Sequence, residues 1–248
     1  MLPRTTARPG DTAGRRTARP AARPPRSGRR RALLAVCLTA VPLLALPVAD
    51  SVARGLAESR LADRISERQT RLAGRPDVSI EGLPFLLQAA RETYPGVRVR
   101  ADATTEGGSP VKADVTLHNV TREGGGFTAG SASARFTASF SSLGGGRDGD
   151  TRISDAGNGQ LLVRRTVLGA PVVLTAGVEL HGGVVSLRPT AASVAGRPLD
   201  PSSPLIAQAL RRQTRTLPTL PLGLRPSGVS VGADGVTVTA WAEDVREV

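Results

Sequence analysis

The chain has 248 residues, 33 basic against 21 acidic side chains, a formal net charge of +12, and six aromatic residues. Ten arginines fall within residues 1–31 against Asp11 alone, so +9 of that charge sits in the tail and the other 217 residues carry +3. The basic folded face and stacking aromatics of a nucleic-acid binder are missing, and the single cysteine, Cys37, leaves neither a disulfide framework nor a Cys-rich zinc site.

Residues 1–31 are mostly Pro, Arg, Thr and Ala, with too little apolar surface to offset the entropy of ordering, which predicts a disordered tail. Ala32 to Ala49 follow as eighteen residues without a charge. As a helix they span about 27 Å, close to the thickness of a bilayer core. Arginines before the run and Asp50 after it place the tail in the cytoplasm and residues 50–248 outside. Two assignments fit the run. Ser51-Val52-Ala53 offers a signal-peptidase site, and Pro42 and Pro47 weaken a long helix. The length exceeds the roughly 7–15 residues of a signal h-region, which favours an uncleaved transmembrane anchor.

Val52, Leu56, Leu61, Ile65 and Leu72 then recur among charged residues at near-helical spacing, predicting an amphipathic helix over 52–73 that ends at Gly74. Beyond it the pattern is mainly strand. Val97, Val99 and Ala101 alternate with Arg98 and Arg100, and Val111, Ala113, Val115 and Leu117 alternate with polar residues. Ala132, Ala134, Phe136, Ala138 and Phe140 form the longest alternation, whereas Phe127 and Ala129 have the opposite parity, so a bulge is expected near Gly130. Two-residue hairpin turns are predicted at Gly182-Gly183 and Asp234-Gly235. A further helix is expected from Ser203, with Pro204 in its first turn and Leu205, Ile206, Ala209 and Leu210 on one side.

No catalytic or metal-binding constellation emerges. His118 lies on the polar side of its strand and His181 beside a Gly-Gly turn, with no nucleophile spacing directed at either. The Gly/Asp stretch over 144–159 fails the calcium-loop pattern: counted from Asp148, Ile153 stands where the glycine belongs and Gly159 where the bidentate glutamate belongs. No cofactor motif is present, and the chain reads as non-catalytic.

Two apolar runs stand out: Gly82-Leu83-Pro84-Phe85-Leu86-Leu87-Gln88, and Leu217-Pro218-Thr219-Leu220-Pro221-Leu222-Gly223. By physics alone, Pro-bearing apolar stretches plug the end of a sheet more often than they line a ligand. With Tyr94-Pro95-Gly96-Val97 and the closing Gly235 to Val238 strand, however, their order resembles the LmeA-type phospholipid-binding proteins of actinobacteria, over Arg54 to the C-terminus. Leu83 stands where that family most often has Phe. The resemblance implies an α+β fold, a curved antiparallel sheet wrapped around a long helix, with an apolar groove for acyl chains. It implies binding of anionic phospholipid at the cell envelope, support of envelope glycolipid synthesis, and a glycosyltransferase partner. On this reading Leu83, Pro84, Phe85, Leu86, Leu87, Leu217, Leu220 and Leu222 line or close the groove, and Arg211, Arg212 and Arg215 face the headgroup. The rival readings are an envelope protein that docks a partner and holds no lipid, and an unrecognised hydrolase.

Overall fold

The computed structural model describes residues 27–105, 107–144, 151–167, 169–204, 206 and 215–247. The chain divides into two compact units, 1–46 and 47–248. Residues 27–46 of the first are helical, within an assignment, α1, that runs Ser27–Arg68. Among the described residues no helix is long and apolar enough to cross a membrane, so the crossing expected for residues 32–49 rests on the sequence.

The second unit is built mostly of antiparallel strands. After α1 come β1 (Asp77–Glu81), α2 (Phe85–Arg91), β2 (Thr93–Thr104), β3 (Pro110–Glu123), β4 (Gly126–Ala138), the short α3 (Phe140–Gly144), β5 (Arg152–Gly157) and β6 (Gln160–Val167). They are followed by β7 (Ala170–His181), β8 (Val184–Val194), β9 (Arg197–Leu199), β10 (Arg215–Thr216), a 3-10 turn (Pro221–Gly223), β11 (Arg225–Gly232) and β12 (Gly235–Glu247). One sheet has the order β1-β2-β3-β4-β12-β11, and the other β10-β8-β7-β6-β5 with β9 on β8. Strand β11 lies against β7 and β5, which joins the two sheets.

The first sheet is one-sided. Val97, Leu117, Ala132 and Ala242 sit side by side across β2, β3, β4 and β12 and are all buried. They form one core with Val78, Val120, Ala129, Ala134, Leu224, Ala240, Val245 and Ala62 of α1. The opposite face carries Arg98 paired to Asp114 (Nε to Oδ1 2.8 Å), with Arg100 bridging Asp77 at 3.5 Å and Asp114 at 3.8 Å. The second sheet has a smaller core of Leu174, Ala176, Ala192 and Ile206.

The expected change of parity at Gly130 is present in a different form. The pairing does not slip: His118↔Ser131 and Val120↔Ala129 continue one register, as do Glu243↔Ser131 and Val245↔Ala129. A crease instead crosses four strands. The aligned row Pro95, Asn119, Gly130 and Asp244 is exposed, as are His118 and Glu243 in the row beside it, while Asn119 and Asp244 adopt φ of 52° and 50°. Asn and Asp tolerate this left-handed region better than other side-chain-bearing residues. The next row, Tyr94, Val120, Ala129 and Val245, therefore returns to the apolar side.

Four sequence expectations need correction. Both sheets are open rather than wrapped around a long helix, and α1 contributes only Leu61, Ala62 and Ile65 to the core. The helix ends at Arg68, and Leu72 instead bridges Ala103. The β4 alternation stops at Ala138, because Phe140 opens α3. The last hairpin turns at Ala233-Asp234, with Gly232 opposite Gly235. Gly235 is needed for close approach: at φ 141° a Cβ there would lie 2.0 Å from the Ala138 carbonyl oxygen. The Gly182-Gly183 turn is found as expected, both residues at positive φ between paired His181 and Val184. Of the helix expected after Ser203, Pro204 and Ile206 are helical and the rest lies outside the described residues.

Candidate functional site

The first apolar run is held by one face of α1. Asp50, Arg54 and Glu58 recur every four residues, so they share a side of the helix. Asp50 is buried, 6% exposed, and its carboxylate accepts the backbone N–H of Phe85 at 2.9 Å and of Leu86 at 2.8 Å. Arg54 Nη2 donates to the Gly82 carbonyl, and Glu58 Oε1 accepts the Ile80 N–H at 2.8 Å. A carboxylate from α1 thus caps α2, whose own N-cap residue, Pro84, supplies no side-chain bond. The N–H groups of Leu86 and Phe85, with the nearby Arg54 charge, hold the Asp50 carboxyl below its ordinary value of 3.8 even though burial pushes the other way. Arg54 Nε and Gln88 Oε1 are buried here without a partner.

This anchoring sorts the run into two sets. Phe85 points inward, 5% exposed, and stacks on Tyr94 with ring centroids 6.2 Å apart. Leu83, Leu86 and Leu87 remain 78%, 43% and 46% exposed, and Pro84 is exposed with them. The second run links the two sheets. Leu217 donates its N–H to the Gly183 carbonyl at 2.9 Å and is half-buried, while Leu220 and Leu222 pack against the core of the first sheet. Leu222 adopts φ 60° inside the 3-10 turn, a strained conformation for a leucine. Tyr94, Leu220 and Leu222 all border the core of the first sheet, and Tyr94 also stacks on Phe85. Arg215 opens β10 opposite Val185, and Arg211 and Arg212 lie outside the described residues.

The inner face of the first sheet has the small aliphatic lining, Val, Ala and Leu rather than bulky aromatics, that the strand alternation leads one to expect. The centre of the inner sheet face is floored by Ala129, Ala132, Ala134, Ala240 and Ala242, and the large side chains around it, Tyr94, Phe127, Phe136, Leu220 and Leu222, are only half-buried. No large side chain among the described residues is fully buried. The floor alanines are 2–6% exposed, so the inside of the sheet is lined by methyl groups closed off from solvent, with larger apolar side chains around them. The pattern was present in the sequence, since alanine holds the inward positions of both β4 and β12.

Two open depressions lie elsewhere. One, of about 270 Å³, sits at the β3–β4 turn by Phe127 and Arg246. The other, of about 470 Å³, is on the polar face of the first sheet and is lined by Arg98, Asp114, His118, Arg135 and Trp241 among others. Neither includes a leucine of the two runs. His118 and His181 are both exposed, and among the described residues no three His, Cys, Asp or Glu side chains converge to hold a metal.

A family model described as LmeA-like phospholipid-binding matches residues 48–240 of the chain. No curated protein and no solved structure matches the chain.

Proposed function

The chain belongs to the LmeA-like phospholipid-binding family, and from that premise we propose that it holds a phospholipid without acting on it chemically. The acyl chains lie along the alanine floor between α1 and the first sheet. They pass the half-buried rim at Tyr94, Leu220 and Leu222, with Phe85, Leu217 and the leucines of α2 at the entrance. The alanine floor carries this reading. Each methylene taken from water contributes about 0.8 kcal/mol, so a short stretch of buried chain is enough to retain a lipid. We place the protein at the outer face of the cytoplasmic membrane, tethered by residues 32–49, in support of envelope glycolipid synthesis beside a glycosyltransferase. What supports the membrane placement is the uncharged run and the arginine-rich tail before it, while the glycolipid role and the partner are what the family resemblance implies. The arginines next to the second run, Arg211, Arg212 and Arg215, favour an anionic headgroup.

The test is mass spectrometry of lipid extracted from the purified full chain. Near-stoichiometric phospholipid enriched in one anionic headgroup is the expected result. Traces that mirror the host membrane, together with no thermal stabilisation of delipidated protein by added phospholipid, would overturn the reading, because a ligand that binds the native state must stabilise it.

A further inference from the structure

The apolar spacing expected as one amphipathic face after residue 50 resolves into two at 100° per residue, with Val52 and Leu56 about half a turn from Leu61 and Ile65. Leu61, Ala62 and Ile65 face the core, whereas Val48, Val52 and Leu56 are 64%, 57% and 53% exposed. At 100° per residue, Val48 and Val52 lie about half a turn from Asp50, on the side of α1 away from the α2 segment that Asp50 and Arg54 hold. On the α2 side, Leu83, Leu86 and Leu87 are also exposed. The first turns of α1 in this unit therefore carry bare aliphatic side chains on two opposite flanks.

We propose that this collar is seated in the surface of a phospholipid bilayer. Three observations select that occupant. Val48 and Ala49 are the last residues of the eighteen-residue uncharged run, so the collar begins where the most apolar stretch of the sequence ends. The six side chains are leucine and valine alone, without the aromatic, Met and Arg residues enriched in protein interfaces, and a bilayer surrounds an emerging helix whereas a folded partner covers one side. Finally, the leading amides of an exposed helix are ordinarily left to water. Here Asp50 accepts those of Phe85 and Leu86, which lowers the cost of bringing this end of α2 into an apolar medium.

The inference rests on the reading of this chain as a membrane-associated lipid binder, and its test separates the two. The full chain is reconstituted into phosphatidylglycerol/phosphatidylcholine vesicles containing lipid brominated along its acyl chains. Leu87→Trp and Val52→Trp are made separately in a Trp241→Phe background, with Leu83→Trp as a second α2 position should Leu87→Trp not fold. The introduced indoles on both flanks should be quenched at least two-fold and blue-shifted, while Trp241 of the unsubstituted chain, on the polar sheet face, stays unquenched. Requiring both flanks distinguishes a surrounding bilayer from a single lipid lying along one of them. An indole on either flank that emits as in water, or is unquenched, overturns the collar. Bound lipid is counted by mass spectrometry on the same purified proteins before reconstitution. Retained lipid with unquenched indoles leaves the binding function standing and removes the collar, and quenching without retained lipid does the reverse.

Discussion

Replacing Ala132 by leucine distinguishes a sheet face that holds lipid from one filled by its own side chains. Ala132 is 2% exposed at the middle of β4, directly between Leu117 of β3 and Ala242 of β12. Leucine adds three carbons at the centre of the alanine floor. If acyl chain occupies that space, those carbons displace about three methylenes at about 0.8 kcal/mol each, or about 2.4 kcal/mol. That corresponds to retention weakened roughly fifty-fold, with the delipidated protein no less stable than wild type. If protein side chains already fill the space, the extra carbons overpack it and cost about 1–3 kcal/mol of folding stability, with lipid content unaffected. Lipid per protein by mass spectrometry and urea denaturation of delipidated protein are read on the same preparation. Ser133→Leu, on the other side of the same strand, is the control and should leave lipid content unchanged. A destabilisation of 1 kcal/mol or more with unaltered lipid would refute the floor as the acyl site.

Acidification should reveal the Asp50 cap. Its carboxyl titrates below the ordinary 3.8 when folded, so the stability it contributes is present above that value and is lost as pH falls through the lower folded value. Wild-type Tm should therefore drop below about pH 4, whereas Asp50→Asn starts lower and falls less. Asp114, held low chiefly by the hydrogen bond from Arg98, has the same sign, and adding Asp114→Asn should flatten the profile further. Equal acid slopes in wild type and the double variant would contradict both assignments. Phe85→Ala should cost about 3 kcal/mol in urea denaturation through the lost stack on Tyr94 and the cavity left behind; a cost under 1 kcal/mol would mean that Phe85 does not anchor α2. Gly235→Ala should destabilise by on the order of 2–3 kcal/mol, because its methyl collides with the Ala138 carbonyl. Retention of the wild-type midpoint would show that the β4 end moves aside freely.

The sequence made the strands and their apolar sides legible because period-two alternation depends only on neighbouring residues. Val97, Leu117, Ala132 and Ala134 all face the core as their pattern requires. It misplaced features set by distant partners. Val52, Leu56, Leu61 and Ile65 were read as one stripe by their rough spacing, but at 100° per residue the first two lie about half a turn from the last two, and only Leu61 and Ile65 meet the sheet. The last turn was assigned one residue late because Asp-Gly is a strong turn signal, while the actual demand on Gly235 comes from the end of β4. At the candidate site the two Leu/Pro runs were conspicuous, but the division between buried Phe85 and exposed Leu86 is decided by Asp50, 35 residues away from Phe85. The spacing of Asp50, Arg54 and Glu58 was visible without any sign of what that face holds. The small lining of the strands was legible in their alternation, whereas which alanines stand side by side is decided by the pairing of β4 with β12.

The crease through Pro95, Asn119, Gly130 and Asp244 constrains how this protein can change length. On either side of it each of the four strands keeps its own alternation, and the two halves are out of phase by one residue. Losing Asn119 alone would leave β3 in phase where its neighbours are not, setting Val120 opposite exposed Pro95 and Gly130 and Thr121 opposite Tyr94 and Ala129, one row out of step with both neighbours. A deletion is tolerable only if all four strands lose their crease residue together, an event single mutations do not deliver. Insertions at the outer ends of these strands, such as the β3–β4 turn at Gly124-Gly125, meet no such condition. Variation in length among homologous chains should therefore accumulate at the turns and stop at this line, where four separated stretches of sequence share one reading frame of pleats.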